Sequence, residues 1–86
     1  MKIYLHKNFL KQFSKLKEVH KLKVDERLRL FIVNPFDSAL NNHALKGKYT
    51  GYRSINMTGD LRALYYKFNK DKYKFMVLDT HSNLYD

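Results

Sequence analysis

The stretch "THSNLYD", residues 80–86, places His81 and Tyr85 where a chain is ordinarily frayed and tolerant of change. Histidine titrates near neutrality and can take or give a proton. An aromatic ring can stack on a nucleobase. The two residues are therefore either part of a solvated tail or half of a site completed upstream. A metal site is one way to complete it, since His43, Asp60 and His81 would make a two-histidine, one-carboxylate set. Their spacing matches no known ligand motif. No Gly-x-Ser-x-Gly is present, so a serine nucleophile has no signature either.

Charge narrows the partners. Seventeen Lys and Arg against eight Asp and Glu give a net charge of +9, which suits a polyanion. Nucleic acid is the first candidate, an acidic protein the second and an anionic membrane surface the third. Solubility alone also accounts for charge of this kind. Lys7, Lys11, Lys15, Lys17, Lys21 and Lys23 read first as a solvated face and second as a docking surface for ribosomal RNA. With no cysteine, the chain has neither a disulfide frame nor a thiolate metal site. The stretch MKIYLHKNF has no apolar run of the kind a signal peptide or spanning helix needs. An intracellular, cytoplasmic protein without a membrane role is expected.

The elements that would position a site follow from periodicity. Eighty-six residues make a single domain, 1–86, with a thin core. "KIYL" (2–5) reads as a short strand. Phe9, Leu10, Phe13, Leu16 and Val19 share one helical face from Asn8 to about Val19. Val24, Leu28, Phe31 and Ile32 define a second helix from about Val24 to Val33. It begins near the acidic pair Asp25 and Glu26 and stops before Pro35, with "HKLK" (20–23) as the connection. Residues 34–48 read as a loop anchored by Phe36, Leu40 and Leu45. Strands follow in "YTGYRSINM", "LRALYYKF" (61–68) and "YKFMVLDT" (73–80), separated by turns at "TGD" (58–60) and "NKDK" (69–72). The apolar run from Phe75 to Leu78 makes the last strand central and buried on both faces. The expected class is α+β, a two-helix layer on one side of a sheet whose other face is open.

At "HALKGKYTGYRSINMTGDLRALYYKF…THSNLY" the chain resembles the bacterial toxins of the RelE/ParE superfamily, most of all the YafQ-like branch of RNA-cleaving toxins. The matching elements are His43, Leu45 and Gly47, then Gly51, Tyr52 and Arg53. Asp60 follows after the turn, then Leu64 and Tyr65, and last Thr80, His81, Leu84 and Tyr85. The run covers the second half of the chain; the helical half matches in pattern and basic character. The resemblance implies a RelE-like fold, an N-terminal strand and two-helix hairpin packed on a curved, mainly antiparallel sheet. It implies the toxin of a type II toxin–antitoxin system, an endoribonuclease that cleaves mRNA on the ribosome, held silent by an antitoxin protein. No metal or other cofactor is implied.

Metal-independent cleavage of this kind uses the ribose 2′-hydroxyl as nucleophile on the neighbouring phosphate. It needs a base, an acid for the leaving oxygen, and cations for the phosphorane charge. The resemblance makes His81 a general acid or base and His43 its partner, with Asp60 accepting a proton or orienting a histidine. "TGD" is equally a plain hairpin turn. Tyr85 is the aromatic that stacks on a base. Arg62 and Arg53 are phosphate ligands, Arg62 preferred, because a guanidinium fork meets two oxygens at once. Lys46 and Lys48 add positive charge beside them. YafQ-like proteins often carry a histidine where this chain has Asn56, which can bind RNA but cannot titrate. Two other readings share the fold: a ParE-like toxin that binds gyrase and cuts nothing, and a non-catalytic RNA-binding domain. The set His43, His81 and Tyr85 favours the nuclease. An ordered C-terminus with Leu84 packed down is expected.

Overall fold

The computed structural model describes residues 1–85. Strand β1 (Lys2–Leu5) leads into helix α1 (Lys7–Ser14). His6 is the N-cap, its backbone extended and its Nδ1 accepting the Asn8 amide at 3.0 Å, which satisfies an otherwise orphaned helix donor. Phe9 is fully buried and Phe13 packs beside it. The helix ends earlier than periodicity predicts. Ser14 Oγ donates to the Lys11 carbonyl at 2.7 Å, and the Lys15 amide turns back to Gln12 and Phe13.

Helix α2 (Glu18–Val33) then begins at the extended N-cap Lys17. The break between the helices lies at residues 15–17, and "HKLK" is helical. The acid that complements the N-terminal dipole is Glu18. Asp25 and Glu26 sit inside the helix and pair with Arg29 at 2.8 Å and Lys23 at 3.5 Å. Val24, Leu28 and Phe31 face the core as predicted. Ile32 does not: one residue past Phe31 turns about 100° around the axis, and its side chain is exposed, as is Val19. Asn34, ahead of Pro35, leaves the helical region at φ −149° and ψ 87°.

The sheet has the order β1-β5-β4-β3-β2. Its other members are β2 (His43–Ala44), β3 (Arg53–Asn56), β4 (Leu61–Asn69) and β5 (Lys72–Thr80). Only β1 runs parallel to its neighbour, pairing Lys2 to Leu5 with Lys72 to Phe75; the other pairings are antiparallel. β5 is an interior strand as expected, but Met76 and Val77 are half-buried. The reason is the alternation of the pleat: Phe75 and Leu78 join the core cluster, with the intervening pair accommodated by a register shift opposite Leu64 and Tyr65.

Phe31 is the hub between the helix layer and the sheet. Its ring meets those of Tyr65, Phe75 and Tyr73 edge-on, at 4.8, 5.2 and 5.6 Å between centroids. Each such pair adds about 0.5–1.5 kcal/mol beyond area burial. The opposite sheet face is not wholly bare. Leu64 points there and is fully buried, and helix α3 (His81–Tyr85) seals its Leu84 against the body of the protein. Residues 81–85 are thus ordered and Leu84 is packed down, as expected, although in a helical turn that strand reasoning did not foresee. Asp86 lies outside the described residues. Among those described, no helix is long and apolar enough to cross a membrane.

Candidate functional site

His43 owes its position to the loop before it. Leu40, wholly buried, pins a short 3-10 turn at Ser38–Leu40. Asn42 then ties three segments together. Its Nδ2 donates to the Pro35 carbonyl at 2.8 Å and to the Tyr65 hydroxyl at 2.7 Å, and its Oδ1 accepts from Arg53 Nε at 2.8 Å. Phe36, expected as an anchor, is exposed, with the Arg53 guanidinium 5.3 Å above its ring. Asn41 takes the left-handed conformation at φ 46°, which asparagine tolerates better than most residues.

That backbone turn presents the Asn41 carbonyl to His43 Nδ1 at 2.8 Å. A carbonyl can only accept, so Nδ1 carries the hydrogen. In the neutral ring Nε2 is then the acceptor. His43 is exposed on the edge strand, paired in register with Ser54.

His81 opens α3. Its amide donates to the Asp60 carbonyl at 2.8 Å, and its ring lies 4.8 Å from that of Tyr85, one helical turn on. The turn itself is fixed by Thr80 Oγ1, which accepts from the Asn83 amide at 3.2 Å, and by Asp79, which accepts from Asn83 Nδ2 at 3.0 Å.

Arg62 spans the β3–β4 turn. Nη1 donates to the carbonyls of Thr58 and Leu61 at 3.0 and 3.2 Å, and Nη2 to that of Gly59 at 3.2 Å. A guanidinium has five N–H groups. Nε–H and one Nη2–H therefore remain for a ligand, held on a rigid mount.

His43, Arg62, His81 and Tyr85 line one cavity of ≈ 380 Å³, together with Asn41, Leu45 and Ser54. No acidic side chain lines it, although Asp79 stands opposite Arg62 in register on β5. Ser54, which sequence reasoning did not single out, is fully buried, and its Oγ has no hydrogen-bond partner among the described residues. A hydroxyl at the outward position of a strand was the available signal. Asn56 Oδ1 is likewise buried and unpartnered, although Asn56 is not among the lining residues.

The remaining candidates lie apart. Asp60 is exposed, and its contact with His81 is made by the main chain. Arg53 borders a different cavity, with Phe36 and Tyr65. Lys46 and Lys48 are exposed on the adjoining loop. Among the described residues no three His, Asp or Glu side chains converge as a metal site would need. Tyr65, under this region, has its hydroxyl pushed above the ordinary tyrosine range by burial, while Asn42 and Arg53 pull it part of the way back.

No protein-family model matches the sequence, and a search of curated proteins finds no match. Solved structures do match. The architecture is that of the RelE/ParE toxins, and it covers nearly the whole chain. YafQ from E. coli is similar with a TM-score of 0.81 and 21% identity, over 99% of this chain and 98% of that one. The E. coli DinJ-YafQ toxin-antitoxin complex gives 0.76 and 22%, over 99% and 97%. An archaeal RelE-RelB complex from Pyrococcus horikoshii OT3 gives 0.73 and 20%, over 92% of each chain. At these identities the likeness establishes the fold, and it is the YafQ-like fold that the motifs pointed to.

Proposed function

We propose that this chain is the toxin of a type II toxin–antitoxin pair and acts as a metal-independent endoribonuclease on mRNA at the ribosome. The observation that carries the reading is the single cavity lined by two histidines, an arginine and a tyrosine, with no acidic side chain in its lining. His43 Nε2, left as the acceptor by the Nδ1 contact, takes the proton of the ribose 2′-hydroxyl. The 2′-oxygen bonds to phosphorus. Arg62 meets the growing charge on the phosphate oxygens, and the bond to the 5′-oxygen breaks as His81, protonated, supplies that oxygen with a proton. The products are a 2′,3′-cyclic phosphate and a free 5′-hydroxyl. Tyr85 stacks on a base beside the scissile bond.

An antitoxin partner is supported by the fold shared with toxins solved in complex with DinJ and RelB. The cytoplasm is where such a pair would act. The test is expression of the chain and of its His81→Ala variant, with mapping of mRNA 5′ ends in cells. Cleavage at defined positions that disappears in the variant is the expected result. Growth arrest with intact mRNA and a DNA-damage response would overturn the nuclease in favour of a gyrase-directed toxin.

A further inference from the structure

A row of aromatic rings leaves the cavity and crosses the sheet face that the helix layer does not cover. From Tyr85 it passes to Tyr49 at 6.3 Å between centroids, to Tyr52 at 6.5 Å and to Tyr66 at 5.7 Å. It continues to Phe68 at 6.2 Å and ends on Tyr4 at 5.6 Å. The contacts are edge-on or tilted throughout, so the rings are not stacked on one another. Tyr4, Phe68 and Tyr85 are 41%, 47% and 43% exposed, an unusual degree for rings of this size. The row ends at a second cavity of ≈ 470 Å³, lined by Tyr4, His6, Lys7, Phe68 and Lys74 among others, with no acidic side chain. Lys48 Nζ lies 5.2 Å over the Tyr49 ring, and Lys7 and Lys74 stand at the far end, so cations flank the row at both ends.

We propose that this row is a binding track for single-stranded RNA, which carries the strand from the cleavage cavity across the sheet to the Tyr4–Phe68 cavity. Rings interleaved with lysines are how proteins hold a single strand without reading its sequence, since every base has a face to stack and every link a charge. A protein partner would find little here to suit it. The exposed aliphatic side chains Leu10, Val19, Leu22, Ile32 and Val33 are on α1 and α2 instead. The inference rests on the RNA-cleaving reading of the first cavity and gives it a substrate footprint longer than the scissile dinucleotide.

The test measures the affinity of the full chain, in the His81→Ala background to prevent cleavage, for fluorescent oligouridylates of two nucleotides and of eight. Eight nucleotides should bind far more tightly than two. Tyr4→Leu combined with Phe68→Leu, which keeps apolar bulk but removes the rings, should weaken the longer RNA by about 5–150-fold per stacked base lost and leave the shorter unchanged. Lys74→Ala should lower the dependence of log affinity on log salt by about 0.7. Equal affinity for both lengths, or an unchanged affinity of the longer RNA for the leucine pair, overturns the track. So does release of the antitoxin from the co-expressed complex by that pair with RNA affinity intact, which would make the surface a protein dock. Intact mRNA in cells alongside length-dependent, ring-dependent binding would instead remove the nuclease reading and leave the track standing.

Discussion

His81 is tied to Asp60 through the main chain, amide to carbonyl at 2.8 Å. The family resemblance gives Asp60 a carboxylate role, whereas this contact uses an atom that every residue possesses. Asp60→Asn is therefore expected to leave the rate of RNA cleavage nearly unchanged in a single-turnover assay. A loss on the scale of a proton-transfer group, about 10²-fold or more, would return the carboxylate to the chemistry.

His43 is expected to behave differently. His43→Gln keeps a donor for the Asn41 carbonyl but cannot take a proton. Cleavage should fall by about 10²–10⁴-fold while affinity for an uncleavable 2′-deoxy substrate stays near that of the parent. If affinity falls with the rate, His43 is a binding residue and the base must be sought elsewhere.

Leu84 is 2% exposed in a helix of five residues, too short to persist by its own hydrogen bonds. Leu84→Ala should cost about 2–5 kcal/mol, read as a fall in the thermal midpoint of roughly 4–8 °C per kcal/mol for a domain of this size. Amide exchange at residues 81–85 should accelerate most. Because His81 and Tyr85 ride on that turn, cleavage should fall further than unfolding alone explains.

Tyr65 gives a pH dependence with a definite sign. Burial raises its pKa above the ordinary tyrosine value, so above about pH 10 the unfolded chain loses a proton that the folded chain keeps. The unfolded state then binds fewer protons, and stability falls as pH rises. Below the unfolded pKa the contribution is fully present. Urea unfolding at pH 9 and at pH 11 should show a smaller drop in Tyr65→Phe than in the parent. The variant should be weaker at pH 9 by about 0.5–1.5 kcal/mol for the bond from Asn42.

The two long hairpin strands were legible because their signals are local; β2, inside the expected 34–48 loop, was not, and β3 begins at Arg53 rather than near Tyr49. "TGD" and "NKDK" mark both hairpins, and Pro35 stops α2 where steric exclusion says it must. The first helix boundary was not legible. Phe13, Leu16 and Val19 keep a helical spacing across the break, which is made by the Ser14 bond to the Lys11 carbonyl, the Lys15 amide turning back and the extended backbone at Lys17. Of the candidate site, His43, Arg62, His81 and Tyr85 were singled out by motif and line one cavity. Asn42 was missed, although its three bonds hold the loop that delivers His43. A polar residue in a loop looks solvated until the strands it bridges are known. Ser54 was missed because a hydroxyl at the outward position of a strand does not by itself tell burial from exposure.

The parallel pairing of β1 with β5 has a consequence for synthesis. The first strand finds its sheet neighbour in residues 72–75, and His81 arrives later still. During translation the N-terminal strand and both long helices emerge with no partner for that edge, and long-range pairing of this kind forms late. A nascent chain therefore carries no assembled cavity until residues through Tyr85 have cleared the exit tunnel. Under the proposed function, cutting in cis the message that encodes the chain must wait until that segment has emerged.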